Sequence, residues 1–568
     1  MTRQVMNLYF TADQQIDSDV SIAFNKVAVE ISKSFVDIIE FVSKQNSDNI
    51  VWWVSSPANK NTFINPLFHY CCCIALLQEL IRSDVHFTEI ITDSKAFKKI
   101  LENCLAMQGV NACVSMTRLS VKQRIKDAIR PIYTTLEHLL LFFMARHTKP
   151  LRKTMPSEPL TLIDTFVMPG YIDKDRYYPG MLDALPEKEQ RHVWFVPYLH
   201  EFSPWQCQQV INRLRKSQRN FILKYDFLKF KDYFYSWRQL LRVNRLNISN
   251  LVFQGVDISP LVREQLGRFC NLNSSYVPLL NYLFAKRLKE TGVKLRLVID
   301  WFENQDIDKG WNAGFRHFFP DVETIGYQGF IVSGHYLCMY PTVEEQKNKV
   351  IPHKVFVTGR GLMDLAKRFC PDLDVNVAPA FRFQHVWRER KYFPDGDVYK
   401  ILVALPIVMS DAIYVLKSLL HTANEMTDSS RFWIKPHPSV PQDQIQREFG
   451  AVWPHQFEFI SGDFGDCVEK SNLLISTASS VSMETIAKGI PVIIIGNNSG
   501  LTQNPIPETI ISDIWRLCYT DEEIKQAITF YRNRGPEKIR EHEVAGKKIR
   551  GEYFEPVTQK GVRAFLRL

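Results

Sequence analysis

Two short stretches in the carboxyl-terminal third carry residue types suited to holding a phosphate. The first, Phe432-Trp433-Ile434-Lys435-Pro436-His437-Pro438-Ser439, reads as a buried strand that stops at two prolines. The residue before a proline is pushed out of α geometry, and proline has no amide to give a ladder. His437 is thereby held at a strand end. The second stretch, 472–495, reads as strand, serine loop, short helix over 481–488, glycine stop and strand. The His437 ring, the Ser479 and Ser480 hydroxyls and the free amides at that helix entrance would together stabilise negative charge building on a leaving phosphate. Lys435 either adds charge near the phosphate or lies along the sheet edge. Ser482 and Glu484 follow in the same helix, where Glu484 either binds a ribose hydroxyl or caps the loop amides. Alone, His437 would read as a strand-end histidine bonded to a backbone carbonyl; the serine loop in the same small domain favours the functional role.

A second cluster, Asp300-Trp301-Phe302-Glu303-Asn304-Gln305-Asp306-Ile307-Asp308-Lys309-Gly310-Trp311, follows an apolar run. Carboxylates and indoles at a strand end suit a sugar: indole faces stack on it, carboxylates accept its hydroxyl protons, and a carboxylate of suitable geometry acts as general base. The alternative is an acidic surface loop. The Asp-x-Asp triplets at Asp306, Asp372 and Asp395 recur too easily by chance to imply a metal, and none is expected.

These groups need a scaffold, and the rhythm of apolar runs and helical stretches supplies an α/β one with parallel sheets. Ile50-Val51-Trp52-Trp53-Val54 reads as the first strand, 65–80 as a helix and 86–92 as the second strand. The loop at Pro57-Ala58-Asn59-Lys60-Asn61 reads equally as structure or as a site. Between Arg118 and Lys153 the rhythm breaks, with nine basic residues against two acidic ones around the run Leu139–Ala145. This basic helical insertion reads either as an interfacial helix on anionic lipid or as a packed insertion with a solvated face. Strands resume at 160–166, 192–196 and 295–299. The aromatic-rich interlude at 223–246 is expected to pack in the core. Residues 372–394 read as a linker. Five further strands, near Ile401, Trp433, Phe457, Leu473 and Val492, make a second doubly wound domain. The expected division is 1–390, 391–545 and a helical tail at 546–568 able to pack back on the first domain.

With 568 residues, 45% of them hydrophobic and 23% charged, the chain is ordinary globular material too long for one core. The net charge of +9 favours acidic partners without demanding nucleic acid, which is not expected. The eleven cysteines form no CxxC pair and read as reduced thiols of a cytosolic protein. Neither a secretory leader nor a run long enough to span a bilayer is apparent.

The Lys435-Pro436-His437-Pro438 turn and the Ser479-Ser480 loop resemble the "HP" and "SS" motifs of bacterial glycosyltransferases of the GT-B fold that use CMP-activated nonulosonic or Kdo sugars, including sialyltransferases and capsule Kdo transferases. More of the chain resembles a bacterial surface carbohydrate biosynthesis family, through Asn65-Pro66-Leu67-Phe68, Trp301-Phe302-Glu303-Asn304-Gln305, Gly326-Tyr327-Gln328-Gly329 and Tyr340-Pro341-Thr342-Val343-Glu344. The likeness implies two Rossmann-like domains with a cleft between them. It also implies that His437 and the Ser479-Ser480 pair contact the CMP phosphate, and that an acid of the first domain deprotonates the acceptor. The sialyltransferases carry an acidic pair before a glycine; this chain has only Asp308-Lys309-Gly310 and the earlier Glu303. Glu303 is the preferred base, with Asp306 and Asp308 as substitutes.

The expectation is therefore a metal-independent transferase without a cofactor. It moves an acidic sugar from its CMP donor to a glycan or glycolipid acceptor, with Lys435, His437, Ser479, Ser480, Ser482 and Glu484 around the donor. It would act at the cytoplasmic face of the inner membrane, peripherally on an anionic surface. The alternatives are a CDP-polyol phosphotransferase and a non-catalytic glycan-binding assembly protein.

Overall fold

The computed structural model describes residues 6–10, 17–117, 121–147, 158–200, 202–389, 398–426, 430–477, 479–498 and 500–568. Arg118, Lys149, Arg152 and Lys153 of the basic stretch, residues 390–394 of the expected linker and the Asp395-Gly396-Asp397 triplet lie outside the described residues.

Strand β1 (Met6–Phe10), helices α1 (Ser18–Gln45) and α2 (Leu67–Arg82), and strands β2 (Phe87–Thr92) and β3 (Cys113–Met116) form an amino-terminal unit around a parallel sheet ordered β1-β2-β3. Its core includes Phe24, Phe35, Phe68 and Ile90, with Cys71, Cys72 and Cys73 buried in α2. This sheet is separate from the larger one that follows. The Ile50–Val54 run is not a strand. It forms a helical turn, Ile50–Trp53, capped by Asn49, whose side-chain oxygen accepts the Val51 amide at 3.1 Å. The Trp52 indole donates to Ser43 Oγ at 2.9 Å and the Trp53 indole to the Ser47 carbonyl at 2.8 Å. A short apolar run is compatible with either state, and here the cap and the two indole donors favour the helix.

After helix α3 (Val121–His147), a seven-stranded parallel sheet is built from β4 (Leu160–Val167), β5 (Val193–Leu199), β6 (Asn220–Phe221), β9 (Leu295–Trp301), β10 (Glu323–Gln328), β11 (Lys354–Val357) and β12 (Val375–Val377). Helices α4 (Phe230–Trp237) and α5 (Gln239–Arg242), a hairpin of β7 (Val252–Phe253) and β8 (Val256–Asp257), and helix α6 (Phe269–Glu290) lie between β6 and β9. Helix α7 (Asp306–Phe318) follows β9, and the short α8 (Val343–Lys347) follows β10. The sheet order is β12-β11-β10-β9-β4-β5-β6, so the winding reverses between β4 and β9. The expected linker is more than that, because it contains β12 and a 3-10 segment, Phe381–Trp387.

A six-stranded parallel sheet follows: β13 (Tyr399–Ala404), β14 (Ser430–Lys435), β15 (Phe457–Phe459), β16 (Leu473–Ser476), β17 (Val492–Ile495) and β18 (Trp515–Cys518), in the order β15-β14-β13-β16-β17-β18. Its winding reverses between β13 and β16. Helix α9 (Val481–Ile486) joins β16 to β17, and α10 (Pro536–Tyr553) and α11 (Gln559–Phe565) end the chain. Both large sheets thus share the order of a doubly wound dinucleotide fold. Together they make an α/β, GT-B-like arrangement of two Rossmann-like domains. Their central strands are buried on both faces, which is why they read as unbroken apolar runs. Among the described residues no helix is long and apolar enough to cross a membrane.

Two glycines set the packing around the sheets. A Cβ on Gly310 would lie 2.1 Å from the Pro278 carbonyl oxygen, so α7 can approach α6 this closely only without one. A Cβ on Gly359 would lie 2.3 Å from the Tyr553 backbone, where the chain leaves α10 and returns to the seven-stranded sheet. There the Glu555 amide donates to the Thr358 carbonyl at 2.6 Å and the Ala380 amide to the Glu555 carbonyl at 2.8 Å. Phe565 of α11 then packs against Tyr327, Phe356 and Phe381. Gly310→Ala is expected to lower stability by about 1–3 kcal/mol through overpacking, read by urea unfolding. A variant stabilised by the better helix propensity of alanine would show that the two helices have room to part.

Candidate active site

Ligands of open α/β sheets lie outside the carboxyl ends of the strands, where the winding reverses. In the seven-stranded sheet that place is acidic. Asp164 on β4 and Asp300 on β9 are buried there, and Asp164 Oδ1 accepts the Trp301 amide at 2.9 Å. Asp300 Oδ2 accepts from the Asn312 amide group, which also donates to the Asp308 carbonyl at 2.9 Å. Burial pushes the Asp164 carboxyl up to about 7, and burial with the charges of Asp308 and Asp164 pushes Asp300 up well above the usual carboxylate range. Lys224, also buried, donates to Asn281 Oδ1 at 3.2 Å; burial holds it down at about 8, against the pull of Asp164.

The three sequence candidates for the base lie on the loop from β9 into α7 and differ sharply in what they touch. Asp308 is buried and its Oδ2 accepts the Glu303 and Gln305 amides, each at 2.9 Å, which caps the start of α7. Asp306 is buried and accepts the Ile307 amide at 2.9 Å; burial pushes its carboxyl up to about 6. Glu303 is half-buried. Its Oε1 accepts from the Trp301 indole at 2.9 Å, and its Oε2 from Gln305 Nε2 at 2.6 Å and from the Tyr336 hydroxyl at 3.4 Å. Burial raises its pKa, opposed by those hydrogen bonds and by Arg382. Asn61 reaches the same rim, with Nδ2 3.3 Å from both Gln305 Oε1 and the Tyr336 hydroxyl.

The indoles do not face a sugar. Trp301 is buried among Tyr177, Tyr178, Tyr327 and Phe330, and Trp311 packs against Phe284 and Phe315. The apolar bulk that suggested stacking in sequence is used by the core, and only the Trp301 N–H takes part in the acidic rim.

In the six-stranded sheet the candidates lie on the two neighbours of β13. Lys435 ends β14 and His437 follows it, the serines follow β16, and two strands flanking a third are roughly 10 Å apart. The Ser439 amide donates to His437 Nδ1 at 3.2 Å, which orients the ring within this turn. Lys435 Nζ donates to the Gly462 carbonyl at 2.6 Å and so lies along the sheet edge. Ser479 and Ser480 are half-buried at the entrance of α9. Ser482 is fully buried, and its hydroxyl pairs with that of Ser476 at 2.6 Å, which braces α9 on its own strand. Glu484 is buried, with Oε2 2.7 Å from His385 Nε2.

His385 belongs to the Phe381–Trp387 segment, which links the two halves. In the same segment Arg382 lies 5.7 Å from the Trp301 ring centre and 5.8 Å from that of Tyr177. Burial lowers its pKa. Arg382 is thus beside Trp301, whose indole donates to Glu303 of the acidic rim, and three residues before His385, which contacts Glu484 of α9. Sequence reasoning missed Arg382 and His385, which carry no periodicity, and Asp164; it included Asp300 in the acidic cluster, as a carboxylate facing a sugar, where the structure buries it. A carboxylate inside an apolar strand run was an available signal for Asp164, since Asp is almost never fully buried without a partner.

Beneath the rim lies a buried cluster that sequence reasoning also missed. Glu345 forms ion pairs with Lys60 and, at 2.8 Å, with Lys309. Its other oxygen accepts the Asn304 side chain and the Thr342 amide, each at 2.9 Å. Lys309 also donates to the Ala58 carbonyl at 2.6 Å. Burial alone would raise Glu345; the two ammonium groups outweigh it and hold the carboxyl at about 2.

No protein-family model matches the chain, and no curated protein matches it. Solved structures similar to it include S. aureus MnaA with UDP, at 10% identity over 72% of this chain and 98% of that one, with a TM-score of 0.43. Acinetobacter baumannii MurG gives 11% identity over 72% and 99% of the two chains, with a TM-score of 0.38. The glycosyltransferase SnogD from Streptomyces nogalater gives 11% identity over 72% and 100%, also with a TM-score of 0.38. The GT-B-like description rests on the two strand orders, not on these scores.

Glu345→Gln leaves two buried ammonium groups without a counter-charge. The expected cost is about 3–5 kcal/mol, measured by chemical unfolding near neutral pH. Because the folded carboxyl titrates near 2, below an ordinary glutamate, the stabilisation from its charge is present above the ordinary range and fades as pH falls towards 2. The gap between wild type and variant should therefore narrow in acid; a gap that is small at pH 7, or that widens in acid, contradicts this role.

Proposed function

We propose that the protein is a metal-independent glycosyltransferase that moves an acidic sugar, of nonulosonic acid or Kdo type, from a CMP donor to a bacterial surface glycan. The observation that carries this reading is the position of Arg382. It lies 5.7 Å from the ring of Trp301, whose indole donates to half-buried Glu303 at the carboxyl edge of one Rossmann-like sheet, and three residues before His385, which contacts Glu484 behind the serine loop of the other. A guanidinium with Arg176 as its neighbour fits the carboxylate of an acidic sugar better than a neutral hexose.

In this reading Glu303 takes the proton of the acceptor hydroxyl. The acceptor oxygen forms a bond to the anomeric carbon, the bond from that carbon to the phosphate oxygen of CMP breaks, and its electron pair stays on the phosphate. His437 and the Ser479 and Ser480 hydroxyls stabilise that charge, with the α9 amides beside them. Glu303 suits the base better than Asp306 or Asp308, since both aspartates are buried against backbone amides while Glu303 keeps an exposed part. A carboxyl raised by burial is also the stronger base. Ser482 and Lys435 support the donor loop in this scheme, through Ser476 and Gly462 respectively, without touching the donor.

A thermal-shift panel of CMP, CDP, UDP and GDP on wild type and His437→Ala tests the donor. CMP is expected to protect by RT ln(1 + [L]/Kd), with protection lost in the variant; preference for UDP overturns the CMP assignment, and preference for CDP favours a CDP-polyol donor. Glu303→Gln should lower turnover by roughly 10²–10⁴-fold with CMP protection retained. The acid limb of the wild-type rate profile should lie above the ordinary glutamate range, because the deprotonated form is required and its pKa is raised. Full turnover in Glu303→Gln removes this residue from the role.

A further inference from the structure

Helix α3 has two apolar faces. His138, Leu141, Phe142 and Ala145 are buried against the domain, while Ile125, Ile129, Ile132, Leu136, Leu140 and Phe143 are exposed. The exposed set recurs at intervals of four, three, four, four and three residues, a single stripe along the outer side of the helix. Leu136 exposes 61% of its surface. One stray exposed apolar residue needs no explanation; a stripe running through five turns does.

Helices α4 and α5 continue the pattern beside it. Phe142 of α3 meets Tyr233 of α4 at 5.2 Å between ring centres, and both helices pack on α6 through the core that holds Tyr276 and Phe284. The inward residues of α4 are Tyr233 and Ser236. Its outward ones, with α5, are Phe230, Phe234, Trp237 and Leu241, again at helical spacing and all exposed, with Phe234 and Trp237 stacked. Sequence reading had assigned this aromatic interlude to the core, yet the structure buries Tyr233 and leaves these aromatics outside.

The charge around this surface is mostly basic: Glu290 is paired with Lys229 and Arg287, Asp226 with Arg215, and Glu137 on α3 is half-buried. Lys229, Lys231, Arg238 and Arg245 are exposed along α4 and α5, and Asp232 is the one acid between residues 227 and 256. Asp232 is buried and bound by Arg287. A second copy of the chain would bring like charges together here. An anionic bilayer would meet both features, with lysine and arginine at the headgroups and phenylalanine, tryptophan and leucine at the acyl boundary.

We propose that the outer faces of α3, α4 and α5 form one surface that seats the protein on anionic lipid, without spanning it. The inference does not depend on the donor assignment. It extends the membrane-binding element from the basic insertion around α3 to the aromatic helices that follow β6.

The test is co-sedimentation of the full chain with phosphatidylcholine vesicles with and without phosphatidylglycerol. Binding is expected only to the anionic vesicles and should weaken with salt. Arg238→Glu/Arg245→Glu should reduce it roughly tenfold or more, at about 1 kcal/mol per basic residue near the surface. Phe234→Ser/Trp237→Ser on α4 and Ile132→Ser/Leu136→Ser on α3 should each weaken it independently, with an unchanged urea unfolding midpoint as the sign of an intact fold. Equal binding to neutral vesicles, no binding at all, or indifference to the two serine variants overturns the proposal. So does a wild-type dimer in sedimentation velocity that Phe234→Ser/Trp237→Ser makes monomeric, because a second copy would then cover this face.

Discussion

A carboxylate shared by two buried lysines holds the acidic rim in place. Glu345 sits on α8, Lys60 comes from the amino-terminal unit, and Lys309 comes from the first turn of α7. Three segments distant in sequence are therefore fixed to one point that water does not reach. The remaining Glu345 oxygen holds the Asn304 side chain, and Asn304 adopts the left-handed backbone conformation, at φ 55°. That kink lets the chain leave β9, pass Glu303 outward and turn back into α7. A buried ion pair is weak evidence for stability in itself, since its desolvation offsets much of its attraction. Its value here is positional: no apolar replacement would give Asn304 an acceptor, and without one the loop carrying Glu303 loses its anchor.

The same loop explains why so many carboxylates can share a small volume. Asp164, Asp300 and Asp308 are each buried; burial raises all three, helped by Glu303 at Asp164, by Asp308 and Asp164 at Asp300, and by Glu303 and Asp164 at Asp308. Each is also given a donor: the Trp301 amide, the Asn312 side chain, or the Glu303 and Gln305 amides. With these donors the cluster orders the strand ends, and with its raised pKa values it carries less charge at neutral pH than its composition implies. Less negative charge lies behind Glu303 than three neighbouring acids would place there.

The legible part of the molecule was the part with one-dimensional order. The central strands of both large sheets read as continuous apolar runs because both faces are covered, and the His437 turn and the serine loop were placed correctly at strand ends. Periodicity is silent about partners. Ile50–Trp53 has strand composition but makes a helix because two indoles find acceptors behind it. Trp301 and Trp311 have the composition of a sugar platform and are used by the core. Glu345 stands one residue beyond a quoted stretch ending at Glu344, yet only folding brings Lys60 and Lys309 to it. Arg382 lies in a stretch with no period at all, and its importance comes from two carboxylates more than 70 residues away on either side in sequence.

The link between the halves constrains how they can move. His385 is tied to Glu484 of the second sheet, and Phe381 of the same short segment packs against Tyr178, Tyr327 and Phe565 of the first. Beyond α10 the chain returns to the first sheet at Thr358 and Ala380, so the two large sheets are joined by two crossings. A rotation that opened the space around Arg382 would have to be absorbed between those attachments. The His385–Glu484 contact is the polar one of the set, between a half-buried histidine and a buried glutamate, whereas Phe381 and Phe565 are fully buried. The first connection to yield would therefore be this polar contact, which frees Glu484 beside the serine loop.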